Sequence, residues 1–226
     1  MTLMFALLGI QCSVDSKKAD AQTNSVNHSQ KIAASSETQS EADKLKVKED
    51  RKRHYEEALQ DELKSLASKL HLPNLKETEL DNAIEIRIWT GFGIFSPRCF
   101  VLKQNNGKYK ALYVEPRFIG DKPELDAKGD QLINTIVMDA PISGWEEFDN
   151  FLKEQGIDSP MKLSLDDEPT EDASDAGAVA VEVKSGKEYS AVVFSILSKS
   201  ADSQKVSKVC QKIKQEFNVE MGCSNG

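Results

Sequence analysis

Histidine is nearly missing from this chain, and the three present, His28, His54 and His71, all precede residue 72. Everything after that point must therefore do without serine or cysteine nucleophiles activated by histidine, and without histidine-bearing zinc sites. Aromatic residues make up only 7% of the sequence, with two tryptophans, so each large ring is a scarce packing resource. Four cysteines are too few and too scattered for a disulfide framework. No long apolar run occurs either. The longest, Leu3 to Ile10, extends about 12 Å as a helix against roughly 30 Å of hydrocarbon, which excludes a transmembrane span.

That short run is followed by Cys12, and LLGIQC resembles the lipobox of bacterial lipoproteins, with Cys12 as the acylated residue and with Gly9 and Gln11 at positions usually held by Leu and a small residue. Residues 1–12 accordingly read as an export or lipoprotein signal. Cleavage after Ala19-Asp20-Ala21, giving a soluble exported protein, is the competing reading. Residues 13–43 are polar and offer only Val14, Val26 and Ile32 for burial, too little to offset the entropy of ordering, so a disordered tether is expected. Asn27-His28-Ser29 has the form of a glycosylation sequon, read here as a chance match.

The first strong helical periodicity comes at Tyr55, Leu59, Leu63, Leu66 and Leu70, which form one stripe. The spacing predicts a helix from about Glu41 to Leu70, assigned as residues 44–71 leading into the domain, with its N-terminal half in solvent and Pro73 as the stop. Arg51-Lys52-Arg53 is bracketed by Glu49, Asp50, Glu56 and Glu57, which makes it a solvated face and not a nucleic-acid patch. Residues 1–71 hold 11 basic and 11 acidic side chains, leaving 18 and 26 for the remainder, so the whole charge of −8 lies on residues 72–226. An acidic domain repels phosphate backbones and anionic lipid headgroups.

From Ala83 the period changes to two. Ile84, Ile86 and Ile88 alternate with Glu85, Arg87 and Trp89, predicting a strand with one apolar and one outward face. Asn105-Asn106-Gly107 signals a hairpin with a two-residue loop, which sets Phe100 opposite Tyr113, Leu102 opposite Ala111 and Cys99 opposite Val114. A fourth strand is expected over Leu132 to Met138. Ser143-Gly144-Trp145-Glu146 has the form of a capping box opening a helix, with Trp145, Phe148 and Leu152 on one face and Gly156 as its stop. Trp145 is read as a core anchor, with ligand stacking as its alternative. Val179, Val181 and Val183 alternate on one late strand and Tyr189, Ala191 and Val193 on the next. Placing both sets on one face requires a three-residue loop, Lys184-Ser185-Gly186. A final helix, about Asp202 to Phe217, carries Val206, Val209, Cys210, Ile213 and Phe217 on one stripe. The expected fold is a single α+β domain over residues 72–226: an antiparallel sheet of about six strands with helices packed on one face, preceded by the tether and the long helix.

The strand Glu85-Ile86-Arg87-Ile88-Trp89, Pro97 before the next strand, Gly144-Trp145-Glu146-Glu147-Phe148, Asp175 to Val179 with Glu182, Gly186 and Tyr189, and Cys210 together resemble a family of uncharacterised exported bacterial proteins. That resemblance implies one α+β domain behind a signal or lipoprotein leader, and attaches no activity, cofactor or catalytic residue to it.

Candidate chemistry is sparse. Gly91 to Gly93 is a lone GFG with no helix after it, better read as relief of crowding at a turn than as a nucleotide loop. Asp166, Asp167, Glu168, Glu171, Asp172 and Asp175 could bind a cation weakly, calcium being the natural choice for clustered carboxylates, although Ala176 and Val183 occupy positions that an EF-hand fills with ligands. Cys210 with Cys223 is the candidate disulfide and Cys99 with Cys210 the runner-up. The favoured function is a non-enzymatic, surface-tethered binding or envelope-associated module, which needs no cofactor and no resident metal and meets the membrane only through its lipid. A carboxylate-based enzyme and an inhibitor or immunity protein for a secreted effector are the alternatives.

Overall fold

A computed structural model describes residues 41–91, 96–160, 178–195 and 198–221. In chain order these form α1 (Glu41–Lys69), β1 (Ala83–Thr90), β2 (Arg98–Asn105), β3 (Lys108–Pro116), two short strands β4 (Phe118–Ile119) and β5 (Lys122–Pro123), β6 (Ile133–Met138), α2 (Trp145–Glu154), β7 (Ala178–Ser185), β8 (Glu188–Ser195) and α3 (Ala201–Phe217). Six strands make one antiparallel sheet in the order β6-β3-β2-β1-β7-β8, which is the expected α+β class.

Helices cover both faces of this sheet. Ile86, Ile88, Phe100, Leu102, Tyr113, Val181 and Val183 pack beneath α2 and α3 in the larger core. The stripe Leu59, Leu63, Leu66 and Leu70 of α1 packs on the opposite face, against Trp89, Cys99, Val101, Val114 and Ala180. Thus the two later helices share a face as expected, while the long helix seals the other. Its first half carries mostly exposed side chains from Asp43 to Ala58, in line with the mixed charges there.

Local chemistry sets the ends of these elements. Beyond α1, the amides of His71 and Leu72 reach back to the carbonyls of Ser68 and Ala67, with His71 left-handed at φ 55°. The same paired bonds end α2: Gly156 N–H donates to Lys153 and Ile157 N–H to Leu152, with glycine in the left-handed position. α3 starts on Ser200, whose hydroxyl accepts from the Ser203 amide at 3.1 Å. The expected stripe Val206, Val209, Cys210, Ile213 and Phe217 is buried throughout.

Between β2 and β3 the loop is Asn106-Gly107, both with positive φ, and the register has Phe100 opposite Tyr113, Leu102 opposite Ala111 and Cys99 opposite Val114, as the Asn-Gly signal requires. The late hairpin differs from its expected form. Ser185 pairs with Glu188 across a two-residue loop, Gly186-Lys187, so Val179, Val181 and Val183 face Phe194, Val192 and Ser190 while Tyr189, Ala191 and Val193 point to the other side. The three-residue loop assumed that only one face could be buried. With α1 covering the second face, both sets have apolar surroundings.

Two further corrections concern α2 and the cysteines. Gly144, at φ 86°, caps α2 without a side-chain bond, and the expected capping box does not form. The amide of Ser143 donates instead to the Glu216 carboxylate of α3 at 2.7 Å. Cys99 and Cys210 lie in the two different cores, on opposite faces of the sheet, so they cannot be bridged without rebuilding it.

Gly91 follows β1 at φ 81°, and a Cβ there would sit 2.2 Å from the Ser96 carbonyl oxygen. That is the crowding anticipated for the first glycine of GFG. Gly91→Ala is expected to cost more than the roughly 1–2 kcal/mol of a left-handed alanine alone. Gly129→Ala, with φ 89° and open space around it, serves as the control, both measured by urea denaturation.

Candidate functional site

The α1-facing side of β1, expected to point outward, is sealed. Glu85, Arg87 and Trp89 are 1%, 0% and 0% exposed, and Glu182 of β7 is 2% exposed. Cross-strand pairing brings them together, since Arg87 stands directly opposite Glu182 and Glu85 is flanked by Lys103 and Lys184. Arg87 Nε donates to Glu85 Oε1 at 2.8 Å, and Lys103 Nζ lies 2.8 Å from Glu85 Oε2. Trp89 Nε1–H and the Tyr189 hydroxyl donate to the two oxygens of Glu182 at 2.6 and 2.8 Å. The segment after α1 closes the layer, with the carbonyls of Pro73 and Lys76 accepting from Arg87 Nη1 at 2.8 Å and Lys184 Nζ at 2.5 Å.

Electrostatics follow from this enclosure. Burial drives the Glu182 carboxyl above its usual range, against the opposing pull of Arg87 and of its two hydrogen bonds. Burial likewise raises the Tyr189 hydroxyl, and the Glu182 charge beside it adds to the effect. Burial holds the Cys99 thiol well above its ordinary value although Arg87 pulls the other way, so Cys99 is an inert core thiol. Two carboxylates near an arginine can serve acid–base chemistry when substrate reaches them. Here the carboxylates are closed off, and the layer holds the sheet to the segment after α1.

A second cluster is open to solvent. Tyr109 and Trp145 stack with centroids 5.3 Å apart and planes 10° from parallel, beside a surface cleft lined also by Asp149, Asn150 and Lys153. Trp145 touches Phe217 at 6.0 Å, so it anchors the rim of the core as expected of it. The Tyr109 hydroxyl accepts from Gln104 Nε2 at 2.8 Å, which fixes its orientation.

The third feature is the sheet edge at β6. Ile136 and Val137 are exposed, Val137 at 64%, and Ile142 just beyond the strand is 83% exposed. At the other end Phe118, Ile119 and Leu125 are also exposed, on the excursion between β3 and β6 that backbone bonds among Arg117, Glu124 and Leu132 hold in place. Exposed large apolar side chains are thus found on β6, on both faces of the sheet, and in the segments on either side of it. The strand itself was legible in the sequence, whereas its exposure was not. The readable signal was that INTIVM contains no charged residue.

Of the residues singled out from sequence, Cys210 sits buried in the α3 core. Cys12, Cys223, Asp166, Asp167, Glu168, Glu171, Asp172 and Asp175 lie outside the described residues, as do residues 1–40. Among the described residues no cluster of three or more His, Cys, Asp or Glu could hold a metal ion, and no helix is long and apolar enough to cross a membrane. No family model, no curated protein and no solved structure matches this chain.

Removing Arg87 takes away the buried guanidinium that is bonded to Glu85 and stands opposite Glu182, leaving both carboxylates buried and Lys103 as the remaining cation at Glu85. Arg87→Met is expected to cost about 3–5 kcal/mol in urea denaturation, and much less when Glu85→Gln and Glu182→Gln accompany it. The raised Glu182 carboxyl sets a sign for pH. Its stabilisation is complete below the unfolded carboxylate value of about 4.3 and is lost as pH rises through the higher folded value. The melting-temperature advantage of wild type over Glu182→Gln should therefore be greatest near pH 4 and shrink towards pH 7, and a constant difference would contradict the assignment.

Proposed function

We propose that this chain is a non-enzymatic binding module of the bacterial cell envelope, exported and tethered through its N-terminal segment with Cys12 as the acyl acceptor. Its docking surface is the β6 edge. The observation that carries this reading is the uncharged edge strand β6 with Ile136 and Val137 exposed, and with Leu125 and Ile142 exposed in the segments on either side, on an acidic domain whose buried carboxylates are sealed from substrate. Exposed apolar residues aligned along a strand edge mark contact sites, because water solvates them poorly and the free backbone groups beside them accept another strand. The lipobox-like LLGIQC and the polar stretch that follows support tethering. The half of α1 that carries exposed side chains continues that stretch as a rigid spacer.

Mass spectrometry of the mature N-terminus, combined with membrane fractionation of the source cells, tests the location. A chain beginning at diacylglyceryl-modified Cys12 in the membrane fraction is the expected result. Recovery of the intact chain from Met1 in the cytosol would overturn the proposal.

A further inference from the structure

Resting on the reading of the β6 edge as a docking surface, we infer that its occupant is a second copy of this chain, paired antiparallel through β6 about a two-fold axis perpendicular to the sheet. Charge argues first for this occupant. Each of β1, β2, β3, β7 and β8 carries at least one Lys, Arg, Asp or Glu, and β6 carries none. Edge strands are commonly guarded by charge or proline, and residues 133–138 contain neither. Two copies that each carry −8 repel wherever their charged surfaces meet, and along β6 itself an uncharged strand meets an uncharged strand. Over residues 131–138 a basic foreign partner, the kind an acidic domain attracts, would find no acid to hold it, the exposed Asp130 and Asp139 lying just beyond either end.

Self-complementarity argues second. In an antiparallel pair about a two-fold axis, directly opposite residues share parity, so one residue lies on the axis, and full overlap of Ile133–Met138 makes it Thr135 or Ile136. From Leu132 to Met138 neither register sets one charge against another. The same operation brings the C-terminal end of β6 in one copy to the N-terminal end of β6 in the other, so with Thr135 on the axis Asp139 stands opposite the neutral Gln131 and Asp130 opposite the neutral Ala140. Sheet faces are also preserved. Thr135 and Val137 stay on the α1 side, next to their neighbours Val114 and Leu112, while Ile136 and Met138 stay on the side of α2 and α3. The two six-stranded sheets become one, with both cores continuous across the junction.

Sedimentation equilibrium of the full chain carrying Cys12→Ser, which removes the lipid, tests this. Twice the 25.1 kDa chain mass is expected for that protein, and a single mass for the added pair Thr135→Lys and Val137→Lys, whose side-chain positions are solvent-exposed. Unchanged circular dichroism and melting temperature would show that the pair still folds. In a background that also carries Cys223→Ser, either Thr135→Cys or Ile136→Cys should form an intermolecular disulfide under mild oxidation. A dimer indifferent to the two lysines, or one that neither cysteine traps, overturns the inference. So does a monomer at 100 μM. In that case a photo-crosslinker at position 137 in the source cells separates the two ideas: a crosslink to a different protein retains the binding module and removes self-pairing, whereas no protein crosslink removes both.

Discussion

The packing of α1 across the second face of the sheet is the constraint on which the remaining structure depends. An antiparallel sheet with one dry face can leave its other face polar and solvated. Here the leucine stripe of α1 leaves no solvated side over the central stretches of β1, β2 and β7, so Glu85, Arg87, Trp89, Cys99, Val101, Ala180 and Glu182 have to be accommodated indoors. Trp89, Cys99, Val101 and Ala180 manage by packing. Glu85, Arg87 and Glu182 cannot, and they survive because each finds an opposite charge or a donor within the same layer.

Such a layer adds little net stability, since desolvating the ions offsets most of their attraction. Its contribution is to register. A slip of one residue between β1 and β7 would turn Arg87 and Glu85 into the aliphatic core beneath α2 and α3, where they would meet no partner. The carbonyls of Pro73 and Lys76 extend the same control to the segment after α1, fixing where the chain crosses before it enters β1. At the opposite core, Glu216 plays a comparable part between helices. Burial alone would raise its carboxyl, but Lys212 and the Ser143 amide outweigh that and hold it below the usual range, tying the start of α2 to the end of α3.

What could be read from the sequence was what neighbouring residues decide among themselves. Asn106-Gly107 fixes its hairpin through positive φ, Gly156 ends α2 through its left-handed conformation, and the stripe from Val206 to Phe217 follows from helical spacing. The failures all involve partners far along the chain. Ser143 was read as a cap, yet the acceptor for its amide comes from Glu216, 73 positions later. Trp89 and Glu182 are 93 positions apart, so nothing local distinguished a sealed charge layer from an ordinary wet strand face. The Gly186-Lys187 loop was misjudged for the same reason, because one buried face was assumed where there are two. For β6 the strand was visible in its composition, but whether another element lies beside it is a property of topology alone.

Helix α1 also has a mechanical side. Its mostly exposed part, from Leu45 to His54, corresponds to a rod of about 15 Å projecting beyond the side chains that grip the sheet. A pull applied at residue 41 reaches the domain through that rod and arrives first at Tyr55, which packs with the leucine stripe, loading the seam from one end. The seam then unzips turn by turn, and the charge layer near Pro73, at the far end of the helix, is the last contact to feel the strain.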